Sequence, residues 1–279
     1  MNRLIAMAGL IALAAPQFTS SVNQIEIYAS ATDARGRPVE GLRAEDFDVR
    51  EDGVSQRITV FAEGDFPLSA AIAVDSSFSM TGDRLAVAKS AARIFLGSLR
   101  PEDQSMVMSI GGRVDVIAPL SSDRDAQFRA LDRLQSWGTT SLHDAVLDAV
   151  DRLQPSSGRR ALIVLSDGDD RYSEASADEV VQRARRSDVM IYPVALGRRM
   201  PVLFTHLATV TGGRAFHERS TRRLPETLRA IAQELRRQYL IGYTPARPFV
   251  PGAAGWRDID VRATRPGVTV RARDGYYAQ

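Results

Sequence analysis

The sequence predicts an α/β protein in which a doubly wound, mainly parallel sheet is inserted between two β segments. Two uninterrupted apolar runs, 71–74 and 161–165, suit strands that are covered by helices on both faces. Amphipathic helices alternate with such runs, as right-handed βαβ crossovers require. A chain of 279 residues, 44% hydrophobic and 25% charged, can bury a core of this kind.

Composition excludes several classes of function. The chain has no cysteine, which rules out disulfides, thiolate zinc sites and thiol catalysis. A net charge of +2, with scattered cations and no motif that reads DNA or RNA, predicts that nucleic acid is not a partner.

The N-terminus has the pattern of a secretory signal. A short positive start is followed by the apolar stretch 4–13 and the small residues Ala12 and Ala14. The stretch is shorter than the roughly 20 residues that a bilayer span requires. We therefore expect residues 1–15 to be a signal peptide removed near Ala14 or Ala15, no transmembrane segment in the mature chain, and an exported protein, periplasmic or secreted.

Residues 21–64 form the predicted N-terminal β segment. A strand over 24–29 is followed by a turn over 33–38, and alternating residues then lead to a hairpin turn at Asp52 and Gly53. We expect the returning strand of this hairpin to continue through Ile58 and Val60.

Residues 65–237 form the predicted α/β domain. After the first buried strand we expect a helix over 83–99 and two strands joined by Gly111 and Gly112 at a sheet edge. Ser141 has the position of an N-cap. The elements expected after these two strands are a helix from 123, a helix over 142–153, a strand over 161–165, a helix over 178–187, a strand over 189–196, a helix over 201–210, a strand over 214–217 and a helix over 224–237.

Residues 238–279 form the predicted C-terminal β segment. Strands are expected over 239–243, 258–264 and 268–273, the last two joined by a turn at 265–267. Neither flanking segment has enough strands to bury a core alone. We hypothesise that the two segments pair into one β-sandwich.

Oxygen-bearing residues gather where the two buried strands end. Asp75, Ser77 and Ser79 follow the first strand as D-x-S-x-S, Asp167 follows the second, and Thr140 opens a helix. Ligands of parallel sheets bind at the carboxyl ends of strands. Hard oxygen donors suit Mg²⁺, with Mn²⁺ or Ca²⁺ as substitutes. Taken alone, the D-x-S-x-S motif is more typical of helix caps, and only the match of all three segments favours a metal.

These segments, in this order, resemble the metal-ion-dependent adhesion site (MIDAS) of von Willebrand factor A domains. The resemblance implies that Ser77 and Ser79 coordinate the ion directly, Thr140 directly or through water, and Asp75 and Asp167 mainly through water. Thr140 is chosen over Thr139 because Thr-x-Leu-x-Asp matches the family spacing. Phe78 stands where most members have glycine.

The flanks extend the resemblance to nearly the whole mature chain. Residues 44–53 look like the leader of a group of exported bacterial proteins called VWFA-related, and 239–245 and 271–277 are similar to its tail. The resemblance implies a mainly parallel sheet with one antiparallel edge strand, 114–120.

The expected function is binding and adhesion to a protein that presents an Asp or Glu carboxylate, without catalysis. Hydroxyl ligands leave a bound ion more positive charge for an external carboxylate than carboxylate ligands would. No histidine lies in an H-E-x-x-H context and no P-loop is present. The alternatives are a metal-assisted hydrolase and a structural envelope assembly protein without metal dependence. The oligomeric state stays open.

Overall fold

The computed structural model describes residues 24–64, 66–248 and 254–278. The predicted signal peptide therefore lies outside the described residues. The helices are α1 (Asp83–Ser98), α2 (Arg124–Arg133), α3 (Leu142–Leu153), α4 (Ala177–Arg185), α5 (Val202–Thr211) and α6 (Leu224–Arg236). The strands are β1 (Ile25–Thr32), β2 (Phe47–Glu51), β3 (Val54–Ser55), β4 (Ile58–Gly64), β5 (Leu68–Asp75), β6 (Gln104–Ile110), β7 (Val114–Ser121), β8 (Arg159–Ser166), β9 (Val189–Ala195), β10 (Phe216–His217), β11 (Gln238–Tyr243), β12 (Gly255–Ala263), β13 (Thr269–Arg271) and β14 (Gly275–Ala278).

The central sheet is mainly parallel, with strand order β10-β9-β8-β5-β6-β7. Only the pairing of β6 with β7, at the sheet edge, is antiparallel within the described part of this sheet. All eight residues of β5 are buried, as its apolar composition predicted. The predicted α/β fold class and its antiparallel edge strand are confirmed.

Helices cover both faces of the central sheet. One core contains α1, α2 and α6, with Phe95, Leu131 and Leu228 among its buried members. The opposite core contains α3, α4 and α5, with Val146 and Phe204 buried. The sheet is therefore buried on both sides, which is why its two middle strands contain the uninterrupted apolar runs 70–74 and 161–165.

The flanking segments form a β-sandwich, as hypothesised. One sheet has the order β13-β1-β11-β4 and the other β14-β12-β2-β3, so each sheet contains strands from both ends of the chain. Their inner faces share one core that includes Ile27, Val49, Tyr239 and Ile259. Each segment supplies the strands that the other lacks.

The register of β4 with β11 explains how the α/β domain is inserted. Gln238 pairs with Gly64, so the strand that leads into the domain and the strand that leaves it lie side by side. A domain whose entry and exit are adjacent can interrupt a sheet without breaking its hydrogen bonds.

One expected hairpin is wrong. Asp52, at φ 49°, and Gly53, at φ 79°, do form the turn between β2 and β3, but β4 leaves this sheet and pairs with β11. The turn predicted at 265–267 does join β12 to β13. These two strands belong to different sheets, since β12 pairs with β2 and β14, whereas β13 pairs with β1. In a sandwich, a short connection can pass from one sheet to the other, and alternation alone does not distinguish this from a hairpin.

A buried ion pair lies inside the sandwich. Glu51 in β2 accepts a hydrogen bond from the Arg257 guanidinium of β12 at 2.7 Å. The hydroxyls of Tyr243 and Tyr276 each donate to the other oxygen of Glu51 at 2.8 Å. The four side chains come from β2, β11, β12 and β14, so the network joins the two sheets and both chain segments. Tyr243 and Tyr276 are buried and pack in the interior of the sandwich.

Polar contacts also join the α/β domain to the sandwich. Glu234 of α6 is buried and accepts a hydrogen bond from Arg271 of β13 at 2.5 Å and from the Tyr192 hydroxyl of β9 at 3.1 Å. Arg185 of α4 contacts Asp274 at 2.9 Å. Within the described ranges, every helix is too short or too polar to span a bilayer.

Candidate metal centre

The carboxyl end of β5 lies at the centre of the sheet. The chain continues from β5 through α1 to β6 on one side, while β8 pairs with β5 on the other side. This reversal of strand order is a topological switch point, where the loops after adjacent strands diverge and leave a crevice. The loops after β5 and β8 carry Asp75 and Asp167, respectively.

Asp75 is fully buried and both of its oxygens are hydrogen-bonded. Oδ1 accepts the backbone N–H of Ser77 at 2.9 Å, and Oδ2 accepts the hydroxyl of Ser166 at 2.6 Å. Burial raises the pKa of the Asp75 carboxyl, the bonds from Ser166 and Ser77 oppose that rise, and the nearby charge of Asp167 adds to it. The carboxylate is therefore fixed in position, and its negative charge lacks a compensating cation among the described side chains.

Ser77 and Ser79 lie next to each other just beyond Asp75. Their hydroxyl oxygens are 3.0 Å apart. A short 3₁₀ turn, Phe78–Met80, follows Ser77 and places the two serines on the same side of the loop. Ser77 is buried and Ser79 is exposed, so this pair of hydroxyls leads from the buried carboxylate to the surface.

Thr140 reaches the same region through the loop before α3. The backbone N–H of Trp137 donates to the carbonyl of Ser76 at 2.7 Å, and that of Phe78 donates to the carbonyl of Gly138 at 3.1 Å. These two bonds join the Thr140 loop to the serine loop. Thr140 is 4% exposed, and its hydroxyl makes no hydrogen bond with the residues that the structure describes. That hydroxyl is an available oxygen donor.

Asp167 directly follows β8. The pairing of Val74 with Leu165 places Asp75 beside Ser166, one residue before Asp167. One Asp167 oxygen accepts the N–H of Asp169 at 3.2 Å, and the side chain is partly exposed. The structure thus brings the loops of all five predicted residues together.

Two residues near this centre were not predicted from the sequence. Ser166 donates to Asp75 and also accepts the N–H of Gly168 at 3.0 Å, so it positions the buried carboxylate. The position of Ser166 between a buried strand and Asp167 is the sequence feature that could have predicted this role. Asp170, three residues after Asp167, accepts the N–H groups of Leu142 at 2.7 Å and His143 at 3.2 Å.

The expected N-cap role of Ser141 is therefore only half correct. Ser141 is at the N-cap position of α3, but its hydroxyl donates to the carbonyl of Gly112 at 3.3 Å and caps nothing. Asp170, from the loop after β8, satisfies the free N–H groups at the start of the helix instead. A cap supplied by a distant loop has no signature in the local sequence.

The donor set of this centre fits a hard divalent cation. All five predicted side chains present oxygen, the donor atom that hard divalent cations prefer. Among the described residues, no group of three or more His, Cys, Asp or Glu side chains could hold a metal ion. Both oxygens of Asp75 are hydrogen-bonded, and the hydroxyl oxygens of Ser77, Ser79 and Thr140 are the further candidate ligands. The residues can hold Mg²⁺, Mn²⁺ or Ca²⁺ in this way.

Comparison with known families decides what this domain is. Residues 70–169 match the sequence model of the von Willebrand factor type A domain, and that range contains all five predicted metal ligands. Residues 70–169 thus have the sequence pattern and the fold of a von Willebrand factor type A domain. No curated protein sequence matches the chain.

Solved structures agree at the level of fold. A von Willebrand factor type A protein from Catenulispora acidiphila is 16% identical, with 94% of this chain and 65% of that one covered and a TM-score of 0.56. The vWF domain of the type V pili tip protein Mfa5 from Porphyromonas gingivalis is 11% identical, covering 61% and 95%, with a TM-score of 0.53. An aerotolerance-related membrane protein from Bacteroides fragilis is 19% identical, covering 60% and 98%, with a TM-score of 0.50.

These three matches differ in how much of the chain they include. Two of them cover about three fifths of it, whereas the Catenulispora protein covers 94% and thus extends beyond the von Willebrand factor type A domain into the β flanks. The arrangement of a von Willebrand factor type A domain with flanking β strands therefore has a counterpart among solved folds.

Proposed function

We propose that this protein is an exported binding module that uses a Mg²⁺-dependent site of the MIDAS type to hold a partner protein through an Asp or Glu side chain. A von Willebrand factor type A domain supports a protein-interaction or adhesion role at the level of the fold. The finer parts of the proposal, the metal, the carboxylate and export, depend on the residues of this chain.

The observation that carries the proposal is the pair of hydroxyls beyond Asp75. Because both oxygens of Asp75 accept hydrogen bonds, Ser77 and Ser79 are the donors presented toward the surface, with Thr140 beside them. A divalent ion held directly by neutral hydroxyls keeps more positive charge for an external carboxylate than one held by carboxylates. The fixed position of Asp75 lets it neutralise part of that charge without occupying the place of the partner.

Binding is favoured over catalysis because the histidines nearest this face are engaged elsewhere. A ring nitrogen of His143 lies 2.9 Å from the carbonyl oxygen of Ala175, and one of His217 lies 2.9 Å from that of Gly197. A general acid or base must reach the group whose proton it transfers. Both histidines instead hold loops around the site.

The metal step is tested by titrating the full chain with Mg²⁺ in a calorimeter. Wild type should bind Mg²⁺, and Asp75→Ala should lose that binding, since the buried charge is the main electrostatic attraction for the ion. Asp169→Ala removes an exposed carboxylate from the same loop as Asp167 and serves as the matched control. Equal binding by wild type and Asp75→Ala would disprove the metal assignment.

Recognition is tested by capture of partners from the exported fraction with and without EDTA. A partner that is retained only without EDTA, and is lost when its acidic residues are amidated, supports recognition through a metal-bound carboxylate. A partner held equally well in EDTA contradicts it. Turnover of a phosphoester or peptide library with Mg²⁺ would favour a hydrolase instead.

Export is tested at the N-terminus of the cellular protein. The proposal is supported by the positive, apolar and small-residue pattern over 1–15. Mass spectrometry of the protein from the cell envelope and the medium should find a first residue just after Ala14 or Ala15. A cytoplasmic protein that retains residues 1–15 would contradict export.

A further inference from the structure

Three exposed aromatic side chains lie on the loops that carry or contact the predicted metal ligands. Among the described residues, the large apolar side chains left exposed include Phe78 at 65%, Trp137 at 73% and Tyr172 at 66%. Each follows or precedes one of the predicted metal ligands by only a few positions, and each lies on a different loop. We call these three residues the aromatic rim.

The aromatic rim is held in place by backbone hydrogen bonds. Phe78 and Trp137 lie on the two loops that are joined by the N–H groups of both residues. The N–H of Tyr172 donates to the carbonyl of Thr140 at 3.1 Å. The rings therefore project from loops that are tied to one another and to the metal ligands. Backbone hydrogen bonds thus hold the three loops in a conformation that exposes these rings.

Leaving three aromatic rings in water is unfavourable unless a partner covers them. Burying such a side chain contributes about 1.5–3 kcal/mol. Aromatic residues that are exposed together are typical of interaction sites and are the most frequent hot spots of protein interfaces. The position of the rim on the loops that carry or contact the metal ligands indicates that one partner covers both.

The charged side chains near Asp167 and Tyr172 indicate which charge the partner carries. An open cavity of about 620 Å³ beside Asp167 is lined by Arg84, Arg198 and Arg199, all of which are exposed. Arg171 is exposed next to Tyr172. These cations favour an acidic segment. Asp167 and Asp169 line the same cavity, so the face does not offer the uniform positive charge that an anionic lipid surface selects.

We infer that the aromatic rim binds large apolar side chains that lie within two positions of the partner's metal-bound carboxylate. The partner is thus a protein segment in which Asp or Glu is flanked by Phe, Trp, Leu or Ile. In an extended segment, neighbouring residues are about 3.3 Å apart, so flanking side chains lie close to the carboxylate. This inference rests on the proposed function and specifies the ligand of that site.

The inference is tested by phage display. A random peptide library is selected for binding to the full chain in Mg²⁺, and bound phage are eluted with EDTA. Eluted peptides should be enriched in Asp or Glu with a large apolar residue within two positions. The same selection against a variant with Phe78→Ser, Trp137→Ser and Tyr172→Ser should lose the apolar enrichment. Val54→Ser, which removes an exposed apolar side chain of the sandwich, is the matched control.

Single variants measure the contribution of each ring. A synthetic peptide taken from the selection should bind about tenfold more weakly to each single rim variant, as expected for aromatic hot spots. All rim variants should bind Mn²⁺ with the affinity of wild type, which shows that the centre has kept its fold. Equal peptide affinity in wild type and rim variants overturns the inference.

The remaining outcomes separate this inference from the proposed function. EDTA-eluted acidic peptides without apolar neighbours would disprove the role of the aromatic rim and leave the proposed function standing. Failure to elute any acidic peptide with EDTA would contradict both. Binding of the full chain to phosphatidylglycerol vesicles that disappears in the triple variant would assign the rim to a lipid surface and overturn the inference.

Discussion

Asp75 is a buried carboxylate whose geometry is set by its neighbours. Its two oxygens are held by the Ser77 N–H and the Ser166 hydroxyl, and its pKa is raised chiefly by burial. A buried charge without a compensating cation is costly, and a divalent ion nearby relieves that cost. In the proposed site the serine hydroxyls would be the direct donors, and the carboxylate would attract the ion from behind them.

Ser166→Ala should weaken metal binding without removing a proposed ligand. The change leaves one Asp75 oxygen without its donor and lets the carboxylate rotate. The loss of such a positioning group typically lowers metal affinity about 10–100-fold. Calorimetry with Mn²⁺ measures the effect, and Ser98→Ala, which removes a hydroxyl bonded only to the carbonyl of Phe95 within α1, is the control. Unchanged affinity in Ser166→Ala would show that Asp75 does not need this donor.

Helix α3 depends on a loop that is distant in sequence. Asp170 caps its first turn, and the carboxylate of Asp144 in that turn accepts the N–H groups of Glu174 at 3.1 Å and Ala175 at 3.0 Å. The helix and the loop after β8 thus hold each other through reciprocal bonds. Since Thr140 comes just before α3 and Asp167 lies in that loop, these bonds fix two parts of the candidate centre relative to each other.

Asp170→Ala should destabilise the fold by about 1 kcal/mol, the usual cost of a lost N-cap. The free N–H groups of Leu142 and His143 would then lack their acceptor. Urea unfolding measures the change, with Asp169→Ala as the control because that side chain is exposed. Equal stability of the two variants would contradict a capping role for Asp170.

Strand β11 carries two buried tyrosines whose ionisation is linked to unfolding. Burial is the main cause that raises the pKa of Tyr239 to about 12 and that of Tyr243 well above its ordinary value. An unfolded tyrosine has a pKa of about 10. The native state therefore holds these protons more tightly, and its stability is complete below about pH 10 and falls as the pH rises toward 12.

Tyr239→Phe should reduce this alkaline loss of stability. One such group contributes a decline of about 1.4 kcal/mol per pH unit between the two pKa values. The free energy of unfolding in urea is measured across this range, with absorbance of tyrosinate as the second signal. Tyr172→Phe, at an exposed position, is the control and should leave the slope as in wild type. An identical slope in Tyr239→Phe would contradict the linkage.

At the scale of the whole molecule, the sandwich and the α/β domain are joined by close backbone packing as well as ion pairs. Gly212 ends α5 at φ 75°, and a Cβ atom there would lie 2.4 Å from the carbonyl carbon of Ala272. The N–H of Asp274 donates to the carbonyl of Val210 at 3.2 Å. The C-terminal segment after β13 therefore fits directly against the end of a helix of the α/β domain.

Gly212→Ala should destabilise the protein more than Gly267→Ala does. Both glycines have positive φ, which costs about 1–2 kcal/mol for alanine. A Cβ at Gly267 has no atom within 4 Å, so that variant measures the backbone term alone. The excess loss in Gly212→Ala, measured by urea unfolding, reports the contact between domain and sandwich. Equal losses of unfolding free energy in the two variants would show that the backbone near Ala272 can move to accommodate the added Cβ atom at no cost.

The sequence by itself determined the α/β class, most elements of the central sheet and the residues of the candidate centre. These features depend on local patterns: apolar runs such as 71–74, helical periodicity, and the order in which oxygen-bearing residues follow strands. The insertion between two β segments also followed from composition, because neither segment could bury a core alone.

Only the tertiary structure decided which strands pair in the sandwich, that Asp170 caps α3, that Ser166 holds Asp75, and that three loops with exposed aromatic rings are joined by backbone hydrogen bonds. Each of these depends on residues far apart in the chain. The alternation of β4 or β13 is the same whichever sheet receives the strand, and a cap supplied by another loop leaves no local signature. The physical reason is that local patterns record which face of an element is buried, whereas its neighbours are chosen by packing of the whole chain.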